Sequence, residues 1–127
     1  MLRIGRREDV RRGLVIFDLA GTFETYEDSD LFQTKIKEEV ERGCGNFLFN
    51  LNYLKLVNFI GLGEITSLPR TFKGINRFAI AGLEEVKVIF RDNLLDYLKE
   101  EDHAELLPIF ETELEAIQSF PLKTSPT

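Results

Sequence analysis

The side chains of this chain that could do chemistry are few and widely spaced. His103 is the only histidine and lies in a highly charged stretch, while Cys44, the only cysteine, lies between two glycines. Nucleophilic catalysis needs a base and an orienting carboxylate beside the nucleophile, and no His, Asp or Glu spacing here is typical of a metal site. We therefore predict that the protein is not an enzyme and has no cofactor or metal, with His103 on the surface and Cys44 as a structural or incidental thiol.

The segment from Asn46 to Gly63 is the part of the sequence best suited to binding. Its apolar run from Phe47 to Leu51 predicts a buried strand, and Gly61 to Gly63 leads toward a helix. A strand that turns through glycines into a helix presents backbone N–H groups and the positive end of the helix dipole, which bind anions. These glycines match neither a dinucleotide motif nor a phosphate loop, and Phe59 and Ile60 stand where an anion site needs polar side chains.

Length and composition indicate one acidic domain. The 127 residues are enough for a single domain with a real core, and 43% hydrophobic with 30% charged residues is typical of a globular protein. A net charge of −6 disfavours nucleic acids and anionic membranes as partners. Five arginines among the first 12 residues are interpreted as solvated strand and turn residues. No apolar segment has the length of a signal peptide or a membrane span, so we predict a cytoplasmic protein.

Predicted strands and helices alternate along the chain. The order β, β, α, β, α, β, α, β, α predicts an α/β domain over residues 1–120, with a mixed, mostly parallel sheet of four to five strands and about four helices. Residues 121–127 are predicted to form a flexible tail. The predicted strands are Leu2–Glu8, Leu14–Leu19, Phe47–Leu51, Phe78–Ala81 and Leu107–Phe110.

The first predicted helix has recognisable ends. One of the residues from Asp28 to Asp30 could cap its start. Phe32, Ile36 and Val40 recur every four residues and predict its buried face. Gly43 predicts its end, because a glycine readily adopts the left-handed conformation that ends many helices.

The later helices are less regular. The second is predicted from about Leu62, and Pro69 within it predicts a kink, an end or the cap of a second short turn. A connector is predicted at residues 73–76, before the strand Phe78–Ala81, and residues 84–101 are predicted to form one long helix or two consecutive ones. The last is predicted to start at Thr112, in a capping box with Glu115, and to bury Leu114, Ile117 and Phe120.

Three blocks of the sequence resemble the STAS family, the small domains typified by bacterial anti-sigma factor antagonists. Residues 13–21 are similar to the family's second strand and its closing glycine, and Thr22 to Glu24 stand at the loop that follows. Residues 47–63 are similar, without gaps, to its apolar strand, loop and Asp-Ser-Ser-Gly-Leu-Gly signature, and residues 78–83 to the next strand and its Gly-Leu exit. Because the blocks occur in the family's order over nearly the whole chain, the resemblance implies a single STAS-like α/β domain.

The resemblance also implies a partner and a switch. In the family, the first serine of the signature is phosphorylated by a kinase that is also the anti-sigma factor, and the unphosphorylated form binds that kinase and frees a sigma factor. Phosphorylation adds roughly two negative charges at a helix N-terminus and blocks the contact. In this chain Asn58 falls on the aspartate, Phe59 on the phosphoacceptor serine and Ile60 on the second serine. Phe59 has no hydroxyl, so the usual switch is absent at its usual place.

The partner-binding residues implied by the resemblance lie in two segments. Thr66 and Ser67, just beyond the glycines, are weak candidates for a substitute phosphoacceptor. The implied partner-binding residues are Thr22, Phe23, Glu24, Asn58, Phe59, Ile60, Gly61, Leu62 and Gly63.

Two functions stay open. The first is a regulatory binding module that lacks the phosphoacceptor and uses Phe59 and Ile60 as apolar anchors for an anti-sigma factor or serine kinase; if Phe59 instead packs into the core, the domain is a scaffold without a switch. The second is a sensor that binds a small ligand, such as a nucleotide or lipid, in a pocket beside Gly61 lined by Phe59, Ile60 and Leu62. The sequence leaves the oligomeric state open.

Overall fold

In the part of the chain that the structure describes, residues 1–71, 77–82 and 108–123, five strands form one sheet in chain order. The strands of this computed structural model are β1 (Leu2–Asp9), β2 (Leu14–Phe23), β3 (Asn46–Val57), β4 (Arg77–Ala81) and β5 (Ile109–Phe110). β1 pairs antiparallel with β2, whereas the β2–β3, β3–β4 and β4–β5 pairs are parallel. The predicted mixed, mostly parallel sheet is confirmed.

Helices cover both faces of this sheet. In the same residue ranges they are α1 (Tyr26–Glu41), α2 (Phe59–Thr71) and α3 (Glu113–Gln118), and a short 3₁₀ turn (Val10–Arg12) joins β1 to β2. α1 and α2 pack on one face, while α3 packs on the other. The predicted connector at residues 73–76, the predicted helix at 84–101 and the predicted strand residue Leu107 lie outside the described residues.

Aromatic rings fill the face covered by α1 and α2. Phe47 and Phe49, two positions apart on β3, point to the same side, and their parallel rings have centroids 6.4 Å apart. Phe17 of β2 and Phe78 of β4 stack on either side of them. Phe32 of α1 adds a ring 5.2 Å from that of Phe49, so the predicted burial of the α1 stripe is confirmed at this position.

The start of α1 differs from the prediction, while its end agrees. Thr25 caps the helix, because its hydroxyl oxygen accepts a hydrogen bond from the Asp28 N–H at 3.1 Å. Asp28 is the third helical residue and completes a capping box by accepting from the Thr25 N–H. The prediction that the cap lies between Asp28 and Asp30 is therefore wrong. Gly43 follows the helix with a φ of +92°, as predicted.

Three further elements are longer than predicted. β2 runs past Gly21 to Phe23, so Thr22 and Phe23 lie in the strand and not in the loop that follows it. β3 continues from Leu51 to Val57, because its backbone still pairs with the end of β2 after polar residues interrupt the apolar run. α2 starts at Phe59 rather than near Leu62, and it runs past Pro69 to Thr71. Of the three outcomes predicted at Pro69, the end of the helix is therefore excluded. Gly61 and Gly63 lie inside the helix rather than in a turn before it.

α3 is short, and the predicted burial of its apolar residues is confirmed at Phe120 but not at Leu114. Thr112 caps it as predicted, accepting from the Glu115 N–H at 3.2 Å, which is one of the two hydrogen bonds of the predicted capping box. Ala116 and Phe120 are buried against the sheet, but Leu114 is 63% exposed. Because residues two apart on a helix point in nearly opposite directions, a helix that buries Ala116 must expose Leu114. The predicted burial of Leu114 is wrong.

A matched pair of substitutions tests this assignment of core and surface. Phe49→Ala removes a ring from the centre of the aromatic cluster and should lower the free energy of unfolding by about 3–5 kcal/mol. Phe59→Ala makes the same chemical change at an exposed position and should change it by no more than about 0.5 kcal/mol. Urea denaturation followed by circular dichroism measures both. Similar losses in the two variants would contradict the assignment.

Candidate functional site

The carboxyl ends of β2 and β3 and the amino ends of α1 and α2 meet at one edge of the sheet. Parallel pairing places Phe23, the last residue of β2, opposite Val57, the last residue of β3. Asn58 follows β3 and joins the two junctions: its backbone N–H donates to the Phe23 carbonyl at 3.2 Å. Its side-chain Nδ2 donates to the Glu24 carbonyl at 3.0 Å. One residue therefore fixes the start of α2 against the loop that leads into α1.

The same asparagine caps α2. Its Oδ1 accepts hydrogen bonds from the N–H groups of Ile60 at 2.9 Å and Gly61 at 3.4 Å. Its backbone carbonyl accepts from the Leu62 N–H at 2.9 Å. The last of these is the first hydrogen bond within the helix, whereas the N–H groups of Ile60 and Gly61 are ones that a helix N-terminus would otherwise offer to an anion. The anion-binding arrangement expected from the strand, turn and helix pattern is thus filled by the chain's own amide.

The two glycines of this junction have different roles. A Cβ atom at Gly61 would lie 2.6 Å from the Phe23 carbonyl oxygen and 2.8 Å from its ring, so only glycine lets α2 pack this closely against β2. A Cβ atom at Gly63 would meet nothing within 4 Å, and Gly63 is exposed. Gly61 is required by packing, whereas Gly63 leaves the surface of the first helical turn open.

Phe59 points into solvent. It is the first residue of α2 and 80% exposed, so the alternative in which it packs into the core is wrong. Tyr26, the first residue of α1, is 78% exposed, and Leu56 near the end of β3 is half exposed. The sequence analysis missed Tyr26 and Leu56. The signal for Tyr26 was the capping box that starts at Thr25, which makes Tyr26 the first helical residue.

Some of the predicted site residues are exposed or half-buried, and others are buried beneath them. Phe23, Gly61 and Leu62 are buried and position the others. We call the exposed and half-buried members, together with the two residues that the sequence analysis missed, the Phe59 surface. It consists of Thr22, Glu24, Tyr26, Leu56, Asn58, Phe59, Ile60 and Gly63.

The two candidate substitute phosphoacceptors face the helix itself. Thr66 is buried, and its hydroxyl donates to the Leu62 carbonyl at 2.8 Å. The half-buried Ser67 donates to the Glu64 carbonyl at 2.9 Å. A kinase would have to separate both hydroxyls from these carbonyls before it could modify them, so the geometry disfavours either as a replacement for a serine at position 59.

A buried carboxylate holds the loop beneath the Phe59 surface. Asp28 accepts hydrogen bonds from the N–H groups of Leu2 at 3.0 Å, Glu24 at 3.1 Å and Thr25 at 3.2 Å. Burial alone would raise the pKa of Asp28, but these donors outweigh burial and hold its pKa below the usual value. The ionised side chain therefore ties the start of β1 to the entry of α1.

The remaining chemistry-bearing groups do not form a catalytic centre in the described residues. Cys44 lies at the opposite end of the sheet, where burial raises the pKa of its thiol and its Sγ donates to the Asn46 carbonyl at 3.1 Å. A raised pKa keeps the sulfur protonated and weakly nucleophilic. No group of three His, Cys, Asp or Glu residues suited to a metal ion occurs within these ranges, and His103 lies outside them. None of the helices described is both long and apolar enough to cross a membrane.

The sheet order, with helices on both faces, defines an α/β fold that solved structures share. A crystal structure of an anti-sigma factor antagonist from Mycobacterium paratuberculosis matches with a TM-score of 0.73 at 12% identity, over 94% of each chain. SpoIIAA in its unphosphorylated form matches with a TM-score of 0.62 at 17% identity, over 94% of this chain and 96% of that one. The phosphorylated form of SpoIIAA, a Bacillus cell fate determinant, matches with a TM-score of 0.62 at 18% identity, over 95% and 100%.

These likenesses establish the fold. No protein-family profile and no curated protein matches the chain. An uncharacterised protein from Shewanella loihica, described as having a SpoIIAA-like fold, also matches, with a TM-score of 0.62 at 17% identity over 94% of this chain and 93% of that one. The chain therefore has the SpoIIAA-like fold of anti-sigma factor antagonists, and the STAS-like architecture implied by the sequence resemblance is confirmed.

Substitution of Asn58 tests whether its side chain caps α2 and holds the loop that leads into α1. Asn58→Ala leaves the first N–H groups of α2 and the Glu24 carbonyl without their partner, so the free energy of unfolding should fall by about 1–2 kcal/mol. Asn58→Asp keeps an accepting oxygen but loses the donor to Glu24, and should lie between wild type and Asn58→Ala. Chemical denaturation gives the free energy of unfolding of the three proteins and so their order of stability. An Asn58→Ala variant as stable as wild type would contradict this role.

The lowered pKa of Asp28 predicts that the protein loses stability in acid. Because the pKa of Asp28 is lower in the folded than in the unfolded chain, its contribution is fully present above the unfolded pKa and is lost as pH falls through the folded pKa. Asp28→Asn should be less stable than wild type at pH 7 and should lose less stability than wild type between about pH 5 and pH 2. Denaturation midpoints across this range test it; parallel curves for the two proteins would contradict it.

Proposed function

We propose that this protein is a STAS-type regulatory module that binds a protein partner of the anti-sigma factor or kinase type through the Phe59 surface. The observation that carries the proposal is the exposure of Phe59 at the first position of α2. The sequence resemblance aligns this position with the family's phosphoacceptor serine, and SpoIIAA, which shares the fold, has been solved in phosphorylated and unphosphorylated forms. The proposed module keeps the binding surface and lacks phosphorylation at this position.

The physical properties of Phe59 suit an anchor. Burial of an exposed phenylalanine ring contributes about 1.5–3 kcal/mol, and aromatic residues are enriched among those that contribute most to protein–protein binding. The helix start is already fixed by Asn58, so little backbone freedom is lost when a partner binds. The exposed Tyr26 and Leu56 add apolar area at the same edge of the sheet.

Acidic side chains near these anchors favour a basic partner surface. Glu24 lies in the loop that Asn58 holds, and Glu27 and Asp30 are exposed on the first turns of α1. Complementary charge raises association rates and suppresses wrong partners. We expect the partner to carry an apolar pocket with Lys or Arg side chains at its rim.

The small-ligand alternative has less geometric support. It needs a pocket beside Gly61, but the Phe23 ring and carbonyl fill the space that a Cβ atom at Gly61 would enter. The fold is shared with anti-sigma factor antagonists, which supports a non-enzymatic regulatory role. We propose that this role concerns bacterial transcription and is carried out in the cytoplasm, as the family resemblance implies.

A pull-down with three baits tests the proposal. Immobilised wild type should recover a partner from lysate of the source cells, and Phe59→Ser should recover at least about tenfold less, because a main anchor contributes about 2 kcal/mol or more. Val10→Ser is the matched control, since Val10 is 70% exposed on the turn between β1 and β2, away from the Phe59 surface. It should recover as much as wild type.

The outcome that contradicts the proposal is equal recovery by Phe59→Ser and wild type. Thermal denaturation of the three baits shows whether each is folded before use. A loss that is equal in Phe59→Ser and Val10→Ser would also contradict it, because the effect would then not belong to the Phe59 surface.

A further inference from the structure

A cavity of about 380 Å³ lies at the end of the sheet opposite the Phe59 surface. It opens between the amino ends of β2 and β3 and the carboxyl end of α1, with Val15 and Cys44 among its lining residues. Its volume is within the ~300–1,000 Å³ of small-molecule sites. Three glycines, Gly13, Gly43 and Gly45, form part of the wall and leave it open to solvent.

The cavity is lined by three cationic side chains and two carboxylates. Glu39 is buried, and its carboxylate accepts from Arg6 Nε at 2.6 Å and Nη2 at 3.1 Å and from Arg42 Nη1 at 2.9 Å. The hydrogen bonds from Arg6 outweigh burial and lower the pKa of Glu39, so it stays ionised. The second lining carboxylate, Glu8, also pairs with Arg6, at 3.7 Å. Lys123 is the third lining cation, so the sum is positive in a chain whose net charge is −6.

Lys123 is held at the cavity by its backbone, not by an ion pair. Its N–H donates to the Arg11 carbonyl at 2.7 Å, which fixes this part of the predicted tail. Its side chain lies across Gly13, where a Cβ atom would overlap Lys123 Cε and come within 3.1 Å of Nζ. Within the described residues the ammonium group takes part in no hydrogen bond or ion pair, and Arg42 uses only Nη1.

We propose that this cavity binds a small molecule through an oxyanion group, a phosphate or a carboxylate, held by Lys123 and the free donors of Arg42. Both side chains are exposed, so their donors are accessible to an oxyanion that enters the cavity. Charge-assisted hydrogen bonds of this kind are the stronger ones in proteins. The buried Glu39 does not repel it, because Arg6 and Arg42 already balance that carboxylate. The inference is independent of the proposed function, since no residue of the Phe59 surface contributes to the cavity.

Glycine amides provide a direct readout. ¹⁵N-labelled full-length protein is titrated with inorganic phosphate, and separately with malonate, at constant ionic strength. The amides of Gly13, Gly43 and Gly45 should shift saturably with at least one anion, while those of Gly61 and Gly63, at the opposite edge, should not shift. Saturation by phosphate alone or malonate alone identifies the oxyanion class.

Two charge-neutralising variants complete the test. Lys123→Gln should weaken binding by about tenfold, the effect of losing one charge-assisted hydrogen bond. Lys55→Gln makes the same change on the exposed part of β3 near the other edge and should bind as wild type does. Shifts that do not saturate with either anion, shifts spread over both edges, or equal weakening in the two variants would each overturn the proposal.

Discussion

The Asn58 side chain makes the interaction on which the arrangement of the Phe59 surface depends. One amide donates to the loop before α1 and accepts from the first N–H groups of α2, so the two helix starts are fixed relative to each other. An aspartate could cap α2 but could not donate to the Glu24 carbonyl, because an ionised carboxylate has no hydrogen-bond donor. The hydrogen bonds of this cap do not involve the Phe59 side chain, which is exposed beyond the carboxyl end of β3.

The fold could be predicted from the sequence because the strands carry strong local signals. The β-branched and aromatic run of β2 and the phenylalanines at positions 47 and 49 specify both the strand and its buried face. The ends of elements could not be predicted as well. β3 extends through polar residues because β2 pairs with it, which its local pattern does not show. α2 continues past Pro69 to Thr71, although a proline is usually a signal for the end or a kink of a helix.

The candidate site was predictable in position but not in detail. The resemblance located Phe59, yet its exposure depends on the cap at Asn58 and on the packing of Gly61 against Phe23. Asn is a favoured cap residue, but the contact of Gly61 with Phe23 joins residues far apart in the sequence and has no local signature. The position of Lys123 could not be predicted either. A polar C-terminal segment predicts a tail, but the Lys123 N–H donates to the Arg11 carbonyl, and its side chain lies beside Gly13. The two ends of the sheet thus differ in chemistry: apolar and acidic at the Phe59 surface, basic at the cavity.

The central claim is a binding surface without a phosphorylation switch, and the intact mass of the protein tests it most directly. The protein is purified from source cells with phosphatase inhibitors and analysed by mass spectrometry, and then again after incubation with ATP and the partner that it captures. A binding surface without a phosphorylation switch should give the mass of the unmodified chain in both samples. A mass increase of one phosphate group, mapped by fragmentation to Thr66, Ser67 or a hydroxyl of the Phe59 surface, would contradict it.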